Sequence, residues 1–101
     1  MIMDYSHLTV SIDTERSDNA VLIRPRIDNP VPLTLGYRMT IRQDSGGNTS
    51  SINQQGQLQT GQASSSVRLG LVADGGSCSV HLEVFADQTL ITAIDRDCAV
   101  R

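Results

Sequence analysis

The segment "LTLGYRMTIR", residues 33–42, places Leu33, Leu35, Tyr37, Met39 and Ile41 at every second position, with Thr34, Gly36, Arg38, Thr40 and Arg42 between them. A helix would scatter these five apolar residues around its circumference, whereas a strand gathers them on one face. The segment is therefore a half-buried strand, and its apolar face must be covered by a second layer.

The rest of the chain has the same period. "HLTVSID" alternates through Leu8, Val10 and Ile12, and a polar turn, "TERSDN", leads into "AVLIRPRI" with Val21, Ile23 and Ile27. "DNPVP" stops that run. After "DSGG" come an amide-rich stretch and "TGQASS". "VRLGLV" then carries Val67, Leu69 and Leu71 in phase, and past "ADGG" the run "SCSVHLEVFA" aligns Cys78, Val80, Leu82 and Val84. "DQT" turns the chain into "LITAIDRDCAV". No long window carries a helical apolar stripe, and turn signals recur at the spacing of a small all-β domain. Seven strands are expected, near 7–12, 20–27, 33–42, 49–59, 65–72, 77–86 and 90–98. That is the strand count of a constant-type immunoglobulin-like β-sandwich, here a single domain over residues 1–101 with 1–6 as a flexible N-terminus. With no tryptophan in the chain, the antibody-type core is excluded.

A chain of 101 residues holds one core and no second domain. Only 3% of residues are aromatic, namely Tyr5, Tyr37 and Phe85, so bases find no stacking platform and single-stranded nucleic acid is disfavoured. The net charge is −3, and the eight cations, all arginine, are dispersed among eleven acids. No basic run is present to hold duplex nucleic acid or an anionic membrane. No stretch approaches the length of a membrane helix, and "MIMDYSHLTV" lacks the pattern of a signal peptide. The expected state is a soluble chain, either cytoplasmic or a mature form whose signal has been removed.

Cys78 and Cys98 do not have the spacing of a zinc or C-x-x-C site. If Asp87, Gln88 and Thr89 form a three-residue loop, Ala86 pairs with Leu90 and the same register brings Cys78 opposite Cys98. Directly opposed residues lie within disulfide reach, most favourably at a non-hydrogen-bonded pair. A two-residue turn would shift the register by one and put the two thiols on opposite faces. The sequence thus allows a disulfide closing the last hairpin, which would favour an oxidising compartment, or two buried reduced thiols.

No catalytic constellation is visible. His7 and His81 are the only imidazoles. His81 points outward beside Glu83, with no nucleophile motif or oxyanion turn near it in sequence. Asp95 and Asp97 flank Arg96 and are expected to form surface pairs with it. "LGLVADGG" precedes a strand and so does not make a phosphate loop, and neither "DRD" nor "ADGG" supplies the spaced oxygens of a calcium loop. The expectation is a non-enzyme with no cofactor and no metal.

"SGGNTSSINQQGQLQ", residues 45–59, is uncharged and carries amides at Asn48, Asn53, Gln54, Gln55, Gln57 and Gln59. Such composition is typical of polar β-prone tracts. At the edge of a sheet it would offer unpaired backbone to a foreign strand, or would be merely a hydrophilic edge that discourages sticking. From "YRMTIRQDSGGNTSSINQQGQLQTGQ" through "SSSVRLGLVADGGSCSVHLEVFADQTLITA" the order of strands and turns resembles the curli assembly chaperone-like family of CsgC and CsgH. The shared pattern is a strand ending in a charged pair, an "SGG" turn, a Ser/Gln strand, a "TG" turn and an alternating strand. The resemblance spans Leu33 to Ile94.

That resemblance implies an immunoglobulin-like sandwich in the periplasm that blocks amyloid formation by the major curli subunit. The C-x-C pair of CsgC is absent around "LTLGY", so no redox role carries over and the chain stands nearer the CsgH branch. The implied partner is an amyloidogenic curli subunit, met by a monomer. The expected client-binding residues are Thr49, Ser51, Asn53, Gln55 and Gln57, flanked by Arg38, Arg42 and Arg68. The alternatives are an immunoglobulin-like accessory domain of an adhesin or transport system, and a thiol-redox accessory protein.

Overall fold

The structure, a computed structural model, describes residues 5–62, 66–70 and 76–98. Seven strands are present: β1 (Thr9–Ser17), β2 (Ala20–Asp28), β3 (Thr34–Ser45), β4 (Asn48–Gln59), β5 (Val67–Gly70), β6 (Ser77–Ala86) and β7 (Thr89–Asp97). They form two antiparallel sheets, a three-stranded one in the order β1-β2-β5 and a four-stranded one in the order β4-β3-β6-β7. The apolar faces of the two sheets meet in one core. Leu33, Leu35, Tyr37, Met39 and Ile41 of the alternating segment are all buried there, with Cys78, Val80, Leu82 and Val84 of β6 and Val21, Ile23 and Ile27 from the other sheet. The seven-stranded β-sandwich expected from the periodicity is thus the architecture found.

Tight turns decide which strands are neighbours. Gly46 and Gly47 both have positive φ, 59° and 85°, and join β3 to β4 through a two-residue hairpin with Ser45 opposite Asn48. Positive φ at both central residues suits the right-handed twist of the flanking strands, and glycine adopts it without steric cost. A constant-type sandwich would place its fourth strand in the sheet of the first, second and fifth, at the edge beside the fifth. Here the glycine hairpin leaves no chain to cross over, so β4 borders β3 instead.

The first connection is also tighter than the sequence suggests. "TERS" is not a turn but the second half of β1, pairing with the start of β2, and only Asp18 and Asn19 turn the chain. Asp18 takes φ 53°, a conformation aspartate tolerates better than most residues. β2 admits Pro25 because, counting from the closing pair Ser17 and Ala20 of the two-residue turn, Pro25 faces Ile12 at a non-bonded position, so its missing N–H removes no bond of the β1–β2 ladder. Leu71, expected to continue β5, lies outside the described residues, as do residues 63–65 and 1–4 of the expected flexible terminus.

Cys78 and Cys98 form a disulfide with a Cα–Cα separation of 4.9 Å. The route to it differs from the three-residue loop expected. Asp87 and Gln88 make a two-residue turn, with Ala86 opposite Thr89 and Phe85 opposite Leu90. A β-bulge then skips Ile91, so that Val84 faces Thr92, and this one-residue insertion cancels the one-residue shift of the shorter turn. The cysteines therefore meet after all. They do so at a hydrogen-bonded position, where the Cys98 N–H donates to the Cys78 carbonyl over 2.9 Å.

Candidate functional site

β4 borders its sheet on one side only. In a two-residue hairpin the closing pair, Ser45 and Asn48, exchanges backbone hydrogen bonds, and bonded and non-bonded pairs alternate from there. At the far end of the ladder the Thr60 N–H donates to the Leu33 carbonyl over 3.1 Å, in the phase this alternation requires. Thr49, Ser51, Asn53, Gln55 and Gln57, opposite Asp44, Arg42, Thr40, Arg38 and Gly36, fall on the non-bonded pairs. Their N–H and C=O groups consequently point away from β3 toward the open edge. These same residues carry their side chains on the outer face of the sheet, since the intervening positions face the core side opposite Leu35, Tyr37, Met39 and Ile41. The five expected residues thus lie, with Gln59, at the positions whose backbone groups face the open edge.

Arg38 and Arg42 share that outer face, one strand inward. Both are held lightly: Arg38 Nη1 lies 3.9 Å from Glu83 Oε1, and Arg42 Nε lies 3.4 Å from Asp44 Oδ2. More than half of each arginine side chain stays in solvent, at 59% and 61% exposure. Two rows across the face from β4 run from a neutral polar side chain to an arginine and on to an acid, namely Gln55–Arg38–Glu83 and Ser51–Arg42–Ser79–Asp97. Thr40 donates a hydrogen bond of 3.0 Å to the Asn53 side-chain oxygen, tying β4 to its neighbour. Thr49 donates likewise to Asp44, and this bond, ahead of the nearby Arg42 charge, holds the Asp44 carboxyl below its ordinary range.

A shallow groove of about 480 Å³ opens on this face where Gly36 has no side chain. Phe85 stands opposite Gly36 on β6, and Gln57 opposite it on β4. The Arg38 guanidinium lies 5.8 Å from the Phe85 ring centroid, a cation–π arrangement that holds the cation at the rim. The second glycine of this region, Gly56, lies against the Tyr37 ring, where an added Cβ would come within 3.3 Å of Cε1. Tyr37 is buried in the core, so the close approach of β4 here depends on the missing side chain.

Arg68 does not join the others. It lies on β5, opposite Leu22 in the three-stranded sheet, whereas Arg38 and Arg42 belong to the four-stranded sheet. Asp95 is also placed differently from expectation. Neighbouring strand residues point to opposite faces, so Asp95 turns away from Arg96 and instead meets His81 across the β6–β7 pair, with Nδ1 to Oδ1 at 2.7 Å. Glu83 Oε2 lies 3.8 Å from His81 Nε2. The Asp95 hydrogen bond, supported by both carboxylate charges, raises the imidazole above its ordinary 6.5. Among the described residues no group of three or more metal-ligating side chains is present. Gly36 and Phe85 were not singled out from sequence. The one available signal was the glycine interrupting the alternation of "LTLGYRMTIR".

No protein-family model matches the sequence, and no curated protein matches it significantly. Two solved structures share the fold. R. palustris CsgH matches with a TM-score of 0.69 at 17% identity, covering 89% of this chain and 91% of that one. The E. coli curli protein CsgC matches with a TM-score of 0.67 at 13% identity, covering 87% of this chain and 96% of that one. The chain thus has the CsgC/CsgH-like fold over most of its length.

Proposed function

We propose that this chain, sharing the fold of CsgH and of the curli protein CsgC, is a chaperone-like inhibitor of curli amyloid formation that works in the periplasm. In this reading a monomer pairs transiently through β4 with early β-forming curli subunits, below one-to-one stoichiometry. The observation that carries the reading is the character of β4: twelve residues long, at the edge of its sheet, with neither charge nor proline. Its outward backbone groups belong to Thr49, Ser51, Asn53, Gln55 and Gln57, whose side chains hydrogen-bond without demanding a hydrophobic groove. Main-chain pairing of this kind supplies affinity, and the adjoining side chains supply preference. Arg38 and Arg42, largely solvated, extend the polar contact surface one strand inward. No covalent chemistry or nucleotide is needed.

The thiol-redox alternative has little to stand on, because Cys78 and Cys98 are bonded to each other and nearly inaccessible, at 4% and 2% exposure. The deciding experiment is a thioflavin fluorescence time course of a purified curli subunit with this protein well below equimolar. The expected result is a much longer lag. An unchanged curve, with the protein shown to be folded, would remove the inhibitor reading and leave a β-sandwich binding domain.

A further inference from the structure

We infer that the protein terminates cross-β growth: once β4 has joined the exposed end of an amide-rich fibril, the opposite side of its own sheet accepts no further strand. This rests on the inhibitor reading above and adds to it the state of the partner. The target is the growing end of an assembly rather than the free subunit.

A fibril end presents a row of unpaired N–H and C=O groups, and segments of about six or seven residues are enough to build the paired stack. β4, at twelve residues, is long enough to cover such a segment. It has no charge to set against a like charge on the incoming strand and no proline to interrupt the ladder. On its core-facing side Ile52 is 36% exposed, so the middle of β4 reaches past the cover of the other sheet and leaves room for a partner.

The far border of the same sheet is β7. It has several of the features by which proteins close an edge. The bulge at Ile91 breaks the regular repeat that a new strand would follow. Asp95, Arg96 and Asp97 put three charges in succession along it. Asp95 faces His81 and Asp97 faces Ser79 on β6, and Arg96, opposite the fully buried Val80, is a charge turned toward the core side of an edge strand. Counting from the Cys98–Cys78 hydrogen bond, Asp95 and Asp97 fall on non-bonded pairs, so their carboxylates flank the outward backbone groups a new strand would need. The start of the chain adds bulk on this side, with Tyr5, Leu8 and Val10 lining a cleft together with Ile91 and Ile94.

The other sheet offers no substitute among the described residues. β1 carries Asp13, Glu15 and Arg16 along its length, and the described part of β5 is four residues long. A molecule with two open edges would be built into the fibril and relay growth, and one with none would not bind. With one open edge it joins and stops the stack. Substoichiometric action then follows from counting ends, which are few, rather than subunits.

The test is seeded growth. Short preformed fibrils of a purified curli subunit are mixed with fresh subunit, and this protein is added near the concentration of fibril ends and far below that of subunit. Termination predicts that the initial slope falls by about tenfold once free protein exceeds its Kd for the ends about tenfold. It also predicts that shearing the same seed mass into more ends raises the required dose in proportion. Ser51→Pro, which removes an outward N–H from β4, should raise the slope about threefold at that same dose while melting like the parent protein. An unchanged seeded slope beside a lengthened unseeded lag would overturn termination and leave the inhibitor reading intact. A dose that follows subunit concentration instead of end number would overturn it too, in favour of sequestration. If a folded protein alters neither seeded nor unseeded growth, both readings fall.

Discussion

β4 and β7 border the same four-stranded sheet and differ in almost every property that governs whether an edge stays unpaired. β4 is joined to its neighbour by a hairpin turn of two glycines and runs for twelve uncharged residues without a bulge. β7 is nine residues long, bulged at Ile91, charged at three successive positions and followed directly by a cysteine bonded to β6. Fold stability alone does not require this asymmetry, because either edge could carry charges on its outer face at little cost. One border of the sheet is charged and bulged, and the other is regular, uncharged and rich in amides.

Removing the covalent tie at the closed border should have the largest effect. The disulfide links residues 20 apart in sequence, and a loop of that size is worth about 3 kcal/mol in a chain-entropy estimate. The Cys78→Ser/Cys98→Ser double variant should unfold at a correspondingly lower urea concentration. Per folded molecule it should inhibit as before, since β4 is bordered by β3 and not by the strands that carry the bridge. Loss of inhibition in a sample shown to be folded would mean that the two borders do not work separately.

The sequence revealed much of this arrangement where a side chain's place depends only on its own strand. The phase of "LTLGYRMTIR" identifies the buried face of β3 because alternation is a local property. The outer-face residues of β4 are legible for the same reason. What depends on which strand lies alongside was hidden. Arg68 shares the alternation and charge of Arg38, yet only the pairing of β5 with β2 puts it in the other sheet. His81 and Asp95 are fourteen residues apart and become partners through the β6–β7 register. The disulfide was foreseen on a loop length that does not occur. A shorter turn and a bulge have opposite effects on register, and the bulge at Ile91 has no marker in "DQTLITAIDRD".

A matched pair of prolines sharpens the comparison. Ser51 on β4 and Ala93 on β7 both face non-bonded partners, Arg42 and Glu83, so neither N–H is engaged in its own sheet. Proline at either position should change stability by less than about 1 kcal/mol, because it removes no internal ladder bond. Only Ser51→Pro should impair function. Loss of one main-chain bond to a partner, at about 1 kcal/mol, raises the half-inhibitory concentration by about fivefold. The measurement is a dose series of thioflavin lag times for the two variants beside the parent. Equal loss from both would show that β7 is used as well, and no loss from either would remove the edge from the mechanism.

The smallest effect concerns pH, and here too the borders differ. Asp95 holds His81 on the β7 side with its pKa raised, so that contribution is fully present below the ordinary 6.5 and is lost as pH rises through the folded value. Stability should therefore decline slightly from pH 6 to pH 8, by about 0.3 kcal/mol or less for so exposed a pair, and His81→Gln should flatten the decline. Asp44, at the tip of the β3–β4 hairpin, behaves in the opposite sense. Its carboxyl is lowered, chiefly by the Thr49 hydroxyl, so its contribution is present above the ordinary carboxyl range and is lost as pH falls through the folded value. Mild acid thus tightens the closed border, while stronger acid loosens the turn that presents the open one. Following the His81 ring protons and the Thr49 amide by NMR through one titration separates the two. The His81 midpoint should lie above 6.5, and the Thr49 amide should shift only in the carboxyl range. A Thr49 shift that tracked His81 instead would show that the two borders are coupled through β3 and β6.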